Sequence, residues 1–471
     1  MKSSSNRVSR RRFLSQAAVL GAAVSVVPRH VLGGPRFVPP SERVNIAIVG
    51  CGGQGRTNLR GLYPLEDAQV IAVADPVEHS DLEDFYFRGV AGRLPVKAEA
   101  EKHYAEKTPN FKVADYVDFR VMLEKEKDID AVLCATPDHM HATVCIPAMR
   151  MGKHAYCEKP LTHNIREARL MAQVAKETGV ATQMGNQGHS GDGIRQTCEW
   201  LWAGVIGEVR EVHAWTSASR WSKKYTQGKP QTEPVPKGVN WDLWLGPREE
   251  RPYSSAYNPV TWRDYWDFGT APIGDFFCHN FDNACWALDL KAPRTVEASG
   301  AGGVDSYMAP AGGLYTYKFP ARGKMPPVTF TWYDGGLRPA RPEGLDPEDQ
   351  LGAGGNGTLF VGSKGMITCP GWAGAPKLLP LTLMDNFERP PKTLPRSNGH
   401  HRDWLDACKG GEPASANFEY GAALTEMGLL GLVAMRVGKR LDWDAAAMKA
   451  TNAPEADGYI NGTYRKGWEL V

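Results

Sequence analysis

From residue 43 the chain alternates short apolar runs with longer segments of mixed character, the pattern of strands buried on both faces and separated by helices. Arg43-Val44-Asn45-Ile46-Ala47-Ile48-Val49 has strand length and runs into Gly50-Cys51-Gly52-Gly53-Gln54-Gly55 and a helix-length segment through Leu62. A second apolar run at 70–74 ends at Asp75, and the polar stretch 77–111 reads as a helical excursion. Ile129-Asp130-Ala131-Val132-Leu133-Cys134-Ala135 and His154-Ala155-Tyr156-Cys157 are the next two strands. Strands alternating with helices predict an α/β fold with a parallel sheet. Farther along, 357–362 and 365–367 read as hairpin strands with glycine turns, and 345–357 as a loop. The apolar breadth of 422–437 predicts a helix buried against a sheet or another subunit.

The first residues follow a different pattern. Ser9-Arg10-Arg11-Arg12-Phe13-Leu14 precedes an uncharged, mostly apolar stretch at 16–27, too short to span a bilayer as a stable helix. That order is the order of an export signal, and the Ser-Arg-Arg-x-Phe-Leu spacing resembles the twin-arginine signal of proteins exported already folded. Pro28, Gly33-Gly34-Pro35 and Pro39-Pro40 separate the segment from the rest. The expected organisation is a signal at 1–34, a linker at 35–42, one domain at 43–186 and a second at 187–471. The expected location is the periplasm, reached through the twin-arginine machinery. No clean small-x-small cleavage site stands near 29–34, so removal of the segment and its retention as an anchor both stay open.

Composition narrows the function classes. An apolar share of 42% with 23% charged residues excludes a disordered or fibrous chain. The net charge of +2 hides an asymmetry: residues 1–34 carry six bases and no acid, which leaves the remainder at −4. A nucleic-acid partner is therefore not expected. Nine scattered cysteines without a CxxC pair give neither a disulfide framework nor a zinc knuckle.

Gly50, Gly52 and Gly55 form G-x-G-x-x-G between a strand and a helix, the context in which the motif binds a dinucleotide. Gly50 makes the tight turn, Gly52 lets the pyrophosphate approach the backbone, and Gly55 lets helix and strand pack. Asp75 lies 20 residues beyond Gly55, where a carboxylate reaches a ribose 2′-hydroxyl and repels a 2′-phosphate. NAD is thus expected rather than NADP. Thr136-Pro137-Asp138-His139-Met140-His141 leaves the end of a strand that faces the cofactor in a doubly wound sheet. His139-x-His141 has no third ligand nearby, and no metal site is assigned.

These residues carry a family likeness. The glycine motif, the Ala135-Thr136-Pro137-Asp138-His139-x-His141 turn, Gly152-Lys153-His154, Glu158-Lys159-Pro160, Gly204-x-Ile206-Gly207-Glu208-Val209 and Asp275-x-x-x-His279-x-x-Asp282 together resemble the glucose–fructose oxidoreductase and inositol dehydrogenase (Gfo/Idh/MocA) family. The resemblance implies an N-terminal Rossmann domain, a C-terminal α/β domain on an open, mostly antiparallel sheet, and a sugar site between them. It also implies a cis Lys159-Pro160 bond and a homo-oligomer formed through the C-terminal sheet. It places Gly53, Gln54, Thr136, Pro137, His141, Glu158 and Lys159 at the cofactor beside the three motif glycines and Asp75. Asn186, His189, Arg263, Trp266 and Asp282 fall at the substrate. Two positions depart from the family pattern: Asp138 adds a carboxylate near the cofactor edge, and Phe277 stands where glycine is usual.

Oxidising a carbinol requires a group that takes the hydroxyl proton and a donor that stabilises the alkoxide. Lys159, His279 and Asp275 fill these roles by the same comparison, with Asp275 orienting His279 or a substrate hydroxyl. Asp275, His279 and Asp282 fall at i, i+4 and i+7, one face of a single predicted helix. Between Trp215 and Trp266 the chain is dense in aromatics, including Trp241, Trp244, Tyr253, Tyr257, Trp262 and Tyr265, which pack a core or stack on sugar faces. Three functions fit: an exported oxidoreductase moving a hydride between tightly bound NAD and a sugar or sugar derivative, an NAD-dependent glycosidase that oxidises its sugar only transiently, and a silent sugar-binding protein that keeps NAD.

Overall fold

The computed structural model describes residues 39, 42–222, 228–302 and 304–470. The expected signal and almost all of the linker lie outside the described residues.

Six strands form the first sheet: β1 (Val44–Val49), β2 (Ala68–Ala74), β3 (Ala114–Tyr116), β4 (Ala131–Cys134), β5 (His154–Cys157) and β6 (Thr182–Met184). They are all parallel in the order β3-β2-β1-β4-β5-β6. The order reverses between β1 and β4, which opens a crevice at their carboxyl ends. β1 is apolar at every position but Asn45 because helices cover both faces of the sheet. Helix α1 (Gly53–Leu62) follows β1 directly, and α2 (His141–Arg150) follows the turn after β4. Helix α3 (Ile165–Thr178) opens with a capping box between Asn164 and Glu167 and stops at Gly179, whose φ of 66° is left-handed.

The stretch 77–111 is only partly the helix expected of it. A short hairpin pairs Ser80–Asp81 with Val90–Ala91 before a helix over Arg93–Ala105. The Arg56 guanidinium holds this hairpin against α1, donating to the carbonyl oxygens of Val90 and Phe87, each at 2.8 Å, and of Arg88.

The second sheet has nine strands: β7 (Val209–Trp215), β8 (Thr295–Gly300), β9 (Gly313–Phe319), β10 (Val328–Tyr333), β11 (Gly357–Gly362), β12 (Gly365–Pro370), β13 (Lys377–Leu379), β14 (Leu441–Asp444) and β15 (Lys449–Ala450). Their order is β13-β12-β11-β7-β10-β9-β8-β14-β15, and only the β7–β10 pair is parallel. The fold is therefore a Rossmann domain followed by an α/β domain on a mostly antiparallel sheet, as expected. Helix α4 (Ala271–Asn280) and the long α5 (Phe418–Val437) cover this sheet. α5 is long and apolar enough to cross a membrane by composition, but it is buried against α3, α4 and β8 of its own chain. One apolar core runs from Ala47 and Val132 in the first sheet through α5 to Phe330 and Trp332 in the second.

Phe277, the second departure from the family pattern, belongs to this core. It packs among Phe281, Phe330 and Trp332, and Gly428 of α5 makes room for it, since a Cβ there would lie 3.2 Å from the Phe277 ring. The single helix expected from Asp275 to Asp282 is broken: α4 ends at Asn280, and a separate helix covers Asp282–Ala287. The Asn280 side chain reaches Trp215 O at 2.8 Å, and Thr358 Oγ1 donates to the Asn280 carbonyl, which ties the break to β7 and β11.

The three motif glycines do different work. Gly50 has φ +90°, and a Cβ there would lie 2.6 Å from the Ala135 backbone. At Gly55 a Cβ would lie 2.0 Å from Gly50 O, whereas at Gly52 nothing lies within 4 Å. We expect Gly55→Ala to destabilise the fold by about 1–3 kcal/mol and Gly52→Ala by less than about 1 kcal/mol. Urea unfolding of the two variants checks this, and equal losses would refute the assignment of Gly55 to packing and Gly52 to an open approach.

Candidate active site

The crevice between β1 and β4 opens into a cavity lined by Gly50, Gly52, Gly53, Gln54, Asp75, Thr136, Pro137 and Lys159. Asp75 lies at the end of β2. Its carboxylate accepts from the Cys51 N–H at 2.6 Å and the Val77 N–H at 2.8 Å. Burial pushes its pKa up to about 6, against the pull of those two amides. These residues fit a dinucleotide: backbone open at Gly52, the N-terminus of α1 for a diphosphate, and a carboxylate for a ribose. Ser80, Leu82 and Phe87 of the hairpin form another wall, and the Phe87 ring lies where a Cβ on Gly53 would be 2.1 Å from it. The only sequence signal for that wall is the Phe85-Tyr86-Phe87 triplet inside a polar stretch.

Three residues expected at the cofactor stand behind the lining instead. Gly55 packs on Gly50. His141 is buried with Nδ1 2.8 Å from Pro160 O and Nε2 3.0 Å from Thr136 O, so it ties the turn after β4 to the turn after β5. Both nitrogens face carbonyls, although the sulfurs of Cys134 and Cys157 lie within 4.8 Å of its ring atoms. Glu158 accepts from Gln54 at 3.1 Å and Asn58 at 2.9 Å. It therefore orients Gln54, which itself lines the cavity.

Asp138 also lines the cavity and is buried, accepting from Thr270 Oγ1 at 2.5 Å. Burial pushes its carboxyl up to about 6. His139 next to it reaches Phe268 O at 3.3 Å and Trp244 O at 3.0 Å. Both residues tie the turn after β4 to the residues just before α4.

Lys159 follows β5 at a cis Lys159-Pro160 bond, as the resemblance implied. Its Nζ donates to Asp275 Oδ1 at 2.6 Å, and Arg263 Nε lies 3.4 Å from the same oxygen. Burial pushes the Asp275 carboxyl up, but Lys159 and Arg263 outweigh it and hold the pKa at about 2. Burial works against the Lys159 ammonium too, yet Asp275 raises it above its ordinary value. One turn along α4, burial lowers His279 well below the usual imidazole range and the Lys159 charge reinforces this, so the ring is neutral. Its Nδ1 is buried without a hydrogen-bond partner among the described residues. Asp275 thus pairs with Lys159, and no hydrogen bond from it to His279 is present among the described residues. Of the two roles expected of Asp275, orienting His279 or a substrate hydroxyl, the first has no hydrogen bond among the described residues.

Lys159, Asp275 and His279 share a second, open cleft with Gln54, Tyr86, Gln187, Trp221 and Trp372. Of the expected substrate residues only Arg263 is near it, reaching Asp275 with its guanidinium over the Trp262 ring at 4.2 Å. Asn186, His189 and Asp282 form a buried cluster instead. Asp282 accepts from Asn186 Nδ2 at 3.0 Å and Tyr420 OH at 2.6 Å, with His189 Nδ1 3.0 Å away. Asp282, just past the break at Phe281, is buried in this cluster and does not line the cleft. Trp266 faces elsewhere as well, donating to Asp305 O and lying under Arg436. Trp241, Trp244, Tyr257 and Tyr265 pack on one another and on Phe268 as a core. Tyr86, Trp221 and Trp372 went unread because an aromatic triplet, one tryptophan of an aromatic-rich interval and a lone tryptophan carry no period that tells a cleft wall from a core.

Family models match the Rossmann domain and the first part of the second domain. Residues 44–186 match the oxidoreductase family's NAD-binding Rossmann fold, and 202–306 match its C-terminal alpha/beta domain, together more than half of the chain. A 2,7-anhydro-N-acetylneuraminate hydratase of Escherichia coli (strain K12) is 31% identical over 102 residues, 22% of this chain and 27% of that protein. A glycosyl hydrolase family 109 protein of Shewanella pealeana is 24% identical over 241 residues, 47% of this chain and 49% of that protein. The chain therefore spans between about a quarter and a half of the length of these curated relatives. Among solved structures, the WlbA dehydrogenase from Bordetella pertussis in complex with NADH and UDP-GlcNAcA superposes with a TM-score of 0.53 at 14% identity, over 85% of this chain and 99% of that one. A levoglucosan dehydrogenase in complex with NADH and L-sorbose gives 0.55 at 14%, over 85% and 99%. At such identities the superpositions establish the shared fold. With both family models matched in order, the chain belongs to the Gfo/Idh/MocA oxidoreductase family, and NAD is its cofactor.

Proposed function

We propose that this protein moves a hydride between bound NAD and a secondary alcohol of a sugar or sugar derivative. One observation carries the reading: Lys159 and Gln54 line both the dinucleotide cavity and the open cleft, so Lys159 stands where the two meet. When bound, NAD supplies the hydride acceptor. Lys159 uses one ammonium proton on Asp275 and keeps two for a substrate oxygen, whose developing charge it stabilises. His279, neutral and one helical turn from Asp275, accepts the carbinol proton.

The order of basic, apolar and polar residues at the N-terminus supports export in the folded state by the twin-arginine route. A cofactor loaded in the cytoplasm then stays bound and is restored within each cycle. A redox-neutral glycosidase meets the same requirement: the sugar is oxidised, the aglycone is eliminated, and the ring is reduced again. The glycosyl hydrolase family 109 protein among the curated relatives favours this as the second reading. Product analysis separates the two, because a glycosidase releases aglycone without accumulating NADH or keto-sugar.

Losing one positioned acid or base typically costs about 10²- to 10⁴-fold. Lys159→Ala and His279→Ala should slow single-turnover reduction of the bound cofactor by that factor while retaining it. Wild-type rates in either variant, followed at 340 nm, would reject that residue's role.

Asp75 makes cofactor choice depend on pH. Its carboxylate repels a 2′-phosphate only when ionised, and its pKa is pushed up to about 6. The preference of cofactor-stripped protein for NAD over NADP should therefore widen as pH rises through about 6 and shrink below it. Equal preference at pH 5 and pH 8 in equilibrium binding would remove Asp75 from this role.

A further inference from the structure

We infer that Trp372 is a stacking platform for a second sugar ring, so that the cleft takes disaccharide-sized glycosides in preference to free monosaccharides. This inference rests on the sugar reading above and names the substrate class within it.

Trp372 combines exposure with a place beside the catalytic helix. The residue is 46% exposed, and its ring sits beside His279 with centroids 5.7 Å apart and makes an edge contact to Phe276 at 5.9 Å. Its backbone is left-handed at φ +57°, and so is that of Ala373 at +51°, a conformation unfavourable for residues with a Cβ. The surroundings enforce it. The Trp372 N–H donates to Asn280 Oδ1 at 3.1 Å, directly after His279. Two glycines leave room for the loop: a Cβ at Gly188 would lie 2.2 Å from Trp372 O, and one at Gly193 would lie 2.5 Å from Ala373 O. Two unfavourable features, a strained backbone and an exposed apolar face, are held in place next to the proton acceptor. Strain held in place in this way clusters at functional sites.

The chemistry around the indole selects the ligand. Ser219, Ser255, Thr261 and Gln187 line the same cleft, and Tyr86, 64% exposed, adds a second aromatic. Aromatic faces with a rim of hydroxyls and amides match a pyranose, which is apolar on its C–H face and polar at its edge. The cleft, at about 1090 Å³, is as large as the roughly 300–1,000 Å³ sites that hold drug-sized ligands, so it accommodates more than one ring. Position fixes the order of the two rings. Lys159 lines both the dinucleotide cavity and the cleft, whereas His279 and, beside it, Trp372 line the cleft alone, so the order along the cleft is Lys159, His279, Trp372. The ring to be oxidised lies against Lys159, and the ring stacked on Trp372 is its neighbour.

Calorimetric binding to the NAD-loaded protein tests this without requiring turnover. The probes are cellobiose, lactose and chitobiose against glucose, galactose and N-acetylglucosamine. We expect at least one disaccharide to bind about tenfold more tightly than its monosaccharide, Trp372→Ala to bring that ratio near one, and Trp372→Tyr, which keeps an aromatic face, to preserve it. No disaccharide preference in the wild type, or a preference that survives Trp372→Ala, would overturn the subsite. Preferential binding without reduction of bound NAD would uphold the subsite and count against hydride transfer.

Discussion

A buried ion pair holds the active site together. Lys159 Nζ and Asp275 Oδ1 are 2.6 Å apart, and neither side chain is more than 14% exposed. One residue follows a strand of the Rossmann sheet and the other lies on the helix that covers the second sheet, 116 positions later. Burying two charges is expensive: removing Asp275 leaves the Lys159 ammonium uncompensated at a cost of about 3–5 kcal/mol, whereas removing Lys159 leaves Asp275 with Arg263, 3.4 Å away. The pair therefore fixes protonation as well as position. Asp275 keeps Lys159 charged, and the Lys159 charge together with burial keeps His279 neutral. An ammonium donor and a neutral imidazole side by side are the complement that carbinol oxidation needs.

The rest of the fold keeps that distance constant. The apolar core is continuous from one sheet to the other through α5. The turn after β4 is fastened to the start of α4 by Asp138 on Thr270 and by His139 on Phe268 and Trp244. Phe277, on the far side of α4 from the cleft, fills the space that Gly428 leaves. The two positions that departed from the family pattern thus turn out to be fasteners of the catalytic helix.

What was legible in the sequence was local. Strand runs ending in glycines, Asp75 at its fixed distance and the Glu158-Lys159-Pro160 turn each carry their meaning within a few residues, and the sheet order sets them along one crevice. Orientation was not legible. His141, Asn186, His189, Trp266 and Asp282 all sit near the expected edge, but Asp282, past a one-residue break at Phe281, is held in a buried cluster, and Trp266, beside a strand-like bridge at Tyr265, is held on Asp305. The same limit hid the cleft's own aromatics. Trp372 is recognisable only through its exposure and left-handed backbone, neither of which has a sequence signature.

A double-mutant cycle on the ion pair is the most direct test. Single-turnover reduction of bound NAD by sugar would be measured in Lys159→Met, Asp275→Asn and the combined variant. If Asp275 acts by holding Lys159, the double variant is no slower than Lys159→Met alone, a coupling of about 0.5–3 kcal/mol. Losses that simply add would show that the two residues act independently and that the ion pair does not organise the site.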